Sequence, residues 1–291
     1  IAASAPPAAP PAEAETRSTP RLALASELAV ATTPLGVFAG CPRRFRLRFL
    51  LGFEEPVHSD QLELFEPAGD DPRPSEPDAD PRTEGRAAHR VLELLDGERF
   101  ARPPDAEELG GMLMREGLDE ARARALAPRL AKTLETPFMR GLAHGATLLR
   151  EHEFVLTLAG PPRLALRGTI DLAVVREAER RLDLVDYKLT AQDKPEAHRF
   201  QLLAYALALS ERFAGFTISA GTIALLSGRG PAWLGGGSLD QGRLSEARGH
   251  LTRLARDLAA ARASEHFPPV PARRCGELRC GFVTACHRKA R

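Results

Sequence analysis

The spacing of apolar positions changes period part-way along the chain. Up to about residue 143 it is helical. Thr33-Pro34 offers an N-cap residue followed by proline at the first helical position. The stretch 35–53 mixes aromatic residues and arginines at helical spacing, a further helix is predicted over 83–95, and 105–143 reads as two or three more. Beyond it, 148–158, 163–176 and 181–189 are rich in Val, Leu and Ile with short polar breaks, which predicts three consecutive strands. Gly160-Pro161-Pro162 makes the first turn between them. A strongly apolar helix is predicted over 196–213, strands over 217–227 and 231–234, and an amphipathic helix over 244–263. Helices, a strand meander, a helix, a strand and a helix together predict one α/β domain with a helical insertion ahead of the sheet. No internal repeat is visible.

The ends differ from this middle. Residues 1–20 are an Ala/Pro-rich linker expected to be disordered, and 66–82 form an acidic, Pro-rich loop. The ordered unit is expected over 21–291: a helix around Cys41 (21–56), a helical part carrying His89 (83–145), a core (146–263) and a Cys-rich tail (267–291). The start lacks Met and lacks a basic segment leading into an apolar one, so it reads as a piece of a longer polypeptide rather than a signal peptide. No apolar run approaches the length of a membrane span, which predicts a soluble, cytoplasmic protein with no membrane partner.

Composition adds two points. The 291 residues are 43% apolar and 27% charged, enough for a real core, and 40 Lys+Arg against 39 Asp+Glu leave +1, so net charge alone announces no nucleic-acid partner. Only four of the cations are lysines, Lys132, Lys188, Lys194 and Lys289, so a lysine beside candidate chemistry carries weight. Four cysteines are too few for a disulfide-stapled scaffold.

The strands carry a distinctive set of charges. Asp171 interrupts an apolar run, and Asp186 follows Leu184-Val185. Such carboxylates cost free energy unless paired, and two on neighbouring strands can converge on a hard cation such as Mg²⁺ or Mn²⁺. Lys188, two residues on, points to the same face as Asp186. A metal-holding carboxylate beside an ammonium suits phosphodiester hydrolysis. Taken alone, Asp-x-Lys is usually a strand-end ion pair.

The layout Gly168-Thr-Ile-Asp171 … Asp186-Tyr187-Lys188 resembles the PD-(D/E)xK nuclease superfamily, and within it the RecB-like branch. Gly85-Arg-Ala-Ala-His89 resembles the family's upstream helix with its metal-ligating His, and Gln201-Leu-Leu-Ala-Tyr205 resembles its Gln-x-x-x-Tyr motif, which contacts DNA or supports the site. Glu151 and Glu153 stand where the family often has an acidic residue. Strict alternation with Phe154 and Leu156 favours Glu153. The family's Pro-Asp is replaced by Ile-Asp171. The resemblance implies a restriction-endonuclease-like core, a central mixed sheet flanked by helices. It also implies a metal held by Asp171, Asp186, His89 and the Tyr187 carbonyl, a Lys188 that orients or deprotonates water, and DNA lined by Gln201 and Tyr205.

Cys41, Cys275, Cys280 and Cys286 form a one-plus-three set. Clustered thiols suit Zn²⁺ or a [4Fe–4S] cluster. The split, with Cys41-Pro-Arg-Arg-Phe upstream, resembles the iron–sulfur clasp of AddB-type helicase–nuclease subunits, although four residues rather than two separate the first tail pair. Zinc therefore stays open, with His287 as a substitute ligand. Arg43, Arg44, Arg46 and Arg48 beside Cys41, and Arg273, Arg274, Arg279, Arg288 and Arg291 in the tail, would then meet in a basic patch for DNA. The resemblance thus implies a Mg²⁺-dependent DNA exonuclease of end processing, recombination and repair, beside a helicase motor. No ATP-binding P-loop is present in the sequence itself. The competing readings are a DNA-binding or assembly domain with an unused site, and a zinc-stapled structural module.

Overall fold

The structure, a computed structural model, describes residues 27–56, 81–192 and 194–287. The expected linker over 1–20 and the acidic loop up to residue 80 lie outside the described residues. The chain opens with a strand, β1 (Glu27–Ala31), and two helices, α1 (Thr32–Gly40) and α2 (Pro42–Phe45), the latter running into a π-helical turn (Arg46–Leu50). A helical layer follows: α3 (Pro81–Leu94), α4 (Gly97–Ala101), α5 (Ala106–Arg115), α6 (Glu120–Leu134) and α7 (Pro137–Gly141). The meander is β2 (Thr147–Leu158), β3 (Arg163–Arg176) and β4 (Arg181–Lys188). Then come α8 (Arg199–Ser210), β5 (Thr217–Ala224), β6 (Ala232–Leu239), α9 (Gln241–Ser264), α10 (Ala272–Glu277) and α11 (Val283–His287). Asp96, Asp105, Asp119 and Asp240 start α4, α5, α6 and α9, each carboxylate accepting from a first-turn amide that the helix cannot satisfy itself.

β3 organises the sheet. Its whole length pairs antiparallel with β2 along one edge. The other edge is divided: residues 163–167 pair in parallel with β1, and residues 172–176 pair antiparallel with β4. β4 continues in parallel with β5 after the α8 crossover, and β6 closes the sheet antiparallel to β5. The result is a six-stranded mixed sheet. Its two faces bury separate cores. One packs Leu166, Ile170 and Leu184 against Leu35 and Phe38 of α1, Leu202 and Tyr205 of α8, and Leu251 and Leu258 of α9. The other packs Leu172, Val174, Val185 and Ile223 under Val91 of α3, Leu113 of α5 and Leu130 of α6. Burial of this kind contributes about 25 cal/mol per Å² of apolar surface, which makes these layers the main source of stability.

Two local expectations change. α1 begins at Thr32, with Ala31 as the uncapped flanking residue, and Thr33 is not the cap. Thr32 Oγ1 instead donates to the Arg167 carbonyl at 3.1 Å, tying the start of α1 to β3. β1 itself is unannounced by the sequence: only Leu28 and Val30 are buried in it, and its partner lies more than a hundred residues away. Among the described residues no helix is long and apolar enough to cross a membrane.

Candidate active site

The site lies where the regular ladder fails. On β3, Leu164, Leu166 and Ile170 bury into the first core, but past Asp171 the residues that do so are Ala173 and Val175. β2 makes the same switch: Phe154, Leu156 and Leu158 face that core, and before Glu151 it is Leu149. Arg150 pairs with Leu172 and His152 with Ile170, so Glu151 and Asp171 face each other across an interruption in an otherwise continuous ladder. Glu151 adopts φ 43°, a left-handed conformation that costs a non-glycine residue about 1–2 kcal/mol. Strain of this kind collects at functional positions. Just ahead, Gly168 admits two close neighbours: a Cβ there would meet Thr32 Oγ1 at 2.7 Å and the Phe154 ring at 3.0 Å.

β4 meanwhile leaves β3. Their last pair is Leu172 with Val185, and β4 runs on beside β5 to Lys188. The fork is bridged by the Tyr187 amide, which donates to Asp171 Oδ2 at 2.6 Å. α3 lays His89 over it, steered by Ala88, Val91 and Leu92 buried on the helix's inner face. His89 Nε2 is 3.2 Å from the Tyr187 carbonyl. In the tautomer that donates this hydrogen bond, Nδ1 carries the lone pair, and Nδ1 stands 3.7 Å from Asp171 Oδ2 and 3.9 Å from Glu151 Oε1. One ligand atom each from His89, Glu151 and Asp171 lie within 4.8 Å of one another, a nitrogen-and-oxygen set suited to a hard divalent cation.

Asp186 completes the charge. Its side chain is fully buried, and its Oδ1 has no hydrogen-bond partner among the described residues. Its counter-charge is the Lys188 ammonium, 2.5 Å from Oδ2 as an ion pair. Buried carboxylates without hydrogen bonds are expensive, and an approaching cation would relieve them. Burial, and then the charge of Asp186, push the Asp171 carboxyl up to about 7 against the pull of His89, Lys188 and the Tyr187 amide. Burial works to lower the His89 imidazole, but the Glu151 and Asp171 carboxylates outweigh it and the net direction is up. The site thus concentrates negative charge that a divalent cation would neutralise.

The structure brings Asp171, Asp186, Lys188 and His89 together. Glu153, favoured on alternation, is exposed, because alternation breaks at Glu151, and Glu151 takes the place beside Asp171. The Tyr187 carbonyl, expected as a ligand, lies 3.2 Å from His89 Nε2 and keeps a second lone pair. Tyr205 is 2% exposed and stacks edge-on with Phe154 at 5.8 Å, so it cannot line a DNA path; its hydroxyl takes the Gln201 amide and holds that residue in place. Gln201 lines a cleft with Thr32, Thr33 and His198. No sequence motif singles out His198. Burial and then the Lys188 charge hold its imidazole down, while Asp186 pulls the other way. Its position three residues before Gln201 was the available signal.

The cysteines gather where the α2 segment meets the tail. All four are free; Cys41, Cys275 and Cys280 are buried and Cys286 half-buried. Cys275 and Cys280 pack with Phe282, Leu278, Leu47 and Cys286. Burial first, then neighbouring Cys41 and Cys286, push the Cys275 thiol up. His287 Nε2 lies 3.5 Å from Cys275 Sγ. Among the described residues no three of these thiols come within 4.8 Å of one another. Arg44, expected on DNA, is spent on this junction: it pairs with Glu55 at 2.8 Å and donates to the Leu278 carbonyl at 3.1 Å. Glu55 also holds Arg48 at 3.2 Å and accepts the Gly281 amide at 3.0 Å. The Arg43 amide donates to the Pro268 carbonyl at 3.3 Å, and Arg273 and Arg274 pair with Glu277. Arg288 and Arg291 lie outside the described residues.

A search of curated proteins finds no match to this chain. Among solved structures, the chain is similar to a crystal structure from Eubacterium rectale named "Putative exonuclease", at 10% identity and a TM-score of 0.47, over 90% of this chain and 88% of that one. The model of the PD-(D/E)XK nuclease superfamily matches residues 29–287, which span β2 to β6, most of β1 and the fork that holds Asp171, Asp186 and Lys188. The chain therefore belongs to the PD-(D/E)XK nuclease superfamily.

Proposed function

We propose that the protein is a metal-dependent DNA nuclease whose centre is the fork between β3 and β4. The observation that carries this reading is the convergence of His89, Glu151 and Asp171 within 4.8 Å, beside a buried Asp186 whose Oδ1 has no hydrogen-bond partner among the described residues. Mg²⁺ or Mn²⁺, held by His89, Glu151, Asp171 and Asp186, would supply Lewis-acid polarisation of the phosphate and activation of the attacking water. Asp186 and Asp171 would repel a phosphate at the fork itself until that cation is held there. Lys188, 27% exposed, reaches the open side of the fork, where its ammonium orients a water and offsets charge on a phosphate oxygen. The Tyr187 peptide sets the geometry: its amide aims Asp171 and its carbonyl fixes the His89 ring. Gln201, steadied by Tyr205, faces the strand beside its scissile bond.

The finer reading is an exonuclease of the RecB-like kind, acting on DNA ends in recombination and repair with a helicase motor. It rests on the Gly-Thr-Ile-Asp171, Asp186-Tyr-Lys188 and Gln201-Leu-Leu-Ala-Tyr205 motifs. On this reading the four cysteines ligate a [4Fe–4S] cluster that clasps the α2 segment to the tail. The one-plus-three split, with Cys41 far along the chain from the three tail cysteines, favours a cluster over the paired ligands usual for zinc. Digestion of single- and double-stranded DNA with and without Mg²⁺ tests the activity. Asp186→Ala and Lys188→Ala should each lower it by roughly a hundredfold or more; full activity in both variants refutes the assignment. Visible absorbance and iron analysis of protein purified without oxygen test the cluster.

A further inference from the structure

A groove between α8 and α9 lies outside the metal centre. It has a volume of about 420 Å³ and carries Arg199 and Phe200 from α8. From α9 it takes Arg243, Glu246, His250 and Arg253, at positions i, i+3, i+7 and i+10, which form one stripe of the helix. Three guanidinium groups face one carboxylate of the lining. Arg199 also touches Glu196 at 3.6 Å, but both side chains are largely exposed, so the pair is weak and yields to a stronger anion. The Phe200 ring stands edge-on to His250, with centroids 6.4 Å apart. On its other side it presses on α1 at Gly36, where a Cβ would meet the ring at 3.0 Å. An aromatic held this way, among arginines, is a stacking platform with phosphate partners.

The groove also connects to the fork. Phe200 is a wall shared with a second cavity of about 230 Å³, lined by Gln201, His198, Thr32 and Thr33. His198 in turn feels the charges of Lys188 and Asp186. A chain leaving the fork along Gln201 and His198 would meet the Phe200 wall shared with the groove.

We propose that this groove seats the single-stranded flank of the DNA substrate, its phosphates against Arg199, Arg243 and Arg253 and one base against Phe200. The inference rests on the nuclease reading and names its substrate form. The volume suits a nucleotide-sized group, and a duplex, with its bases turned inward, would leave the Phe200 face unused.

The test is equilibrium binding of a fluorescein-labelled oligothymidylate to the full chain in EDTA, where no cleavage occurs, over a series of salt concentrations. Each phosphate-binding cation removed lowers the slope of log K against log[salt] by about 0.7 for a single strand. Arg243→Glu with Arg253→Glu should therefore lower it by about 1.4 and weaken binding at low salt at least roughly tenfold. Arg199→Glu, on the opposite helix, should lower it by about 0.7 and guards against misfolding of the double variant. Arg248→Glu reverses a charge that pairs with Glu211 at 3.0 Å, away from the groove, and should leave the slope unchanged. Equal slopes for wild type and both groove variants overturn the proposal, as does a duplex of the same length that competes better than the single strand. Mg²⁺-dependent digestion by the wild type is scored separately. Cleavage with unaltered binding in the variants removes the groove alone, and groove-dependent binding without cleavage removes the nuclease reading.

Discussion

Asp171→Asn should make the metal-free protein more stable. In the fork, burial and the Asp186 charge raise the Asp171 carboxyl from its ordinary value of 3.8 to about 7. Between those two values the native state holds a proton that the unfolded chain has released, so native stability falls as pH rises through the window and stays low above it. A shift of about three units corresponds to about 4 kcal/mol, and partial relaxation around a charged carboxylate reduces this to about 2–4 kcal/mol at pH 8. Asn removes the charge while its carbonyl still accepts the Tyr187 amide. Urea unfolding in EDTA from pH 4 to pH 8 should show the two proteins alike at the acid end and the variant ahead by that margin at the alkaline end. Adding Mg²⁺ should raise the wild type by more than the variant, because an ionised Asp171 carboxylate gains most from the cation. Parallel curves across the whole pH range would show that Asp171 is not strained by its surroundings, and that the fork holds no excess charge for a cation to neutralise.

Lys188→Ala leaves Asp186 as a buried carboxylate without its counter-ion, and should cost about 2–3 kcal/mol in EDTA by urea titration. Adding Asp186→Asn to it should recover most of that loss without restoring cleavage. Glu151→Gly should relieve about 1 kcal/mol of left-handed strain yet weaken Mg²⁺ binding in calorimetry, whereas Glu153→Gln should change neither. Glu55→Ala releases Arg44, Arg48 and the Gly281 amide together, and should open the tail to trypsin at concentrations that spare the wild type.

What could be read from the amino-acid string follows from how local each signal is. The meander over β2, β3 and β4 is contiguous, so the strand pattern and the two aspartates on it are visible together. His89 is legible only through the motif around it, because nothing in its own helix says that its ring reaches Tyr187. β1 was hidden because a five-residue strand pairing with Arg163–Arg167 leaves a weak local trace. Glu151 was passed over for a physical reason: an alternation argument assumes an unbroken pleat, and the face switch at Glu151 and Asp171 is where the pleat breaks. Arg44 shows the reverse error, since a cluster of arginines near a tail suggests a ligand surface but its partner Glu55 lies eleven residues along the chain.

The Tyr187 peptide has one consequence of its own. Both of its polar groups work at the fork, the amide toward Asp171 and the carbonyl toward His89, while the ring packs into the core beneath α3. Any residue other than proline that fills the same space would present the same two groups. Position 187 can therefore drift in evolution as a packing position while its contribution to the chemistry is inherited through the backbone, beyond the reach of a side-chain scan.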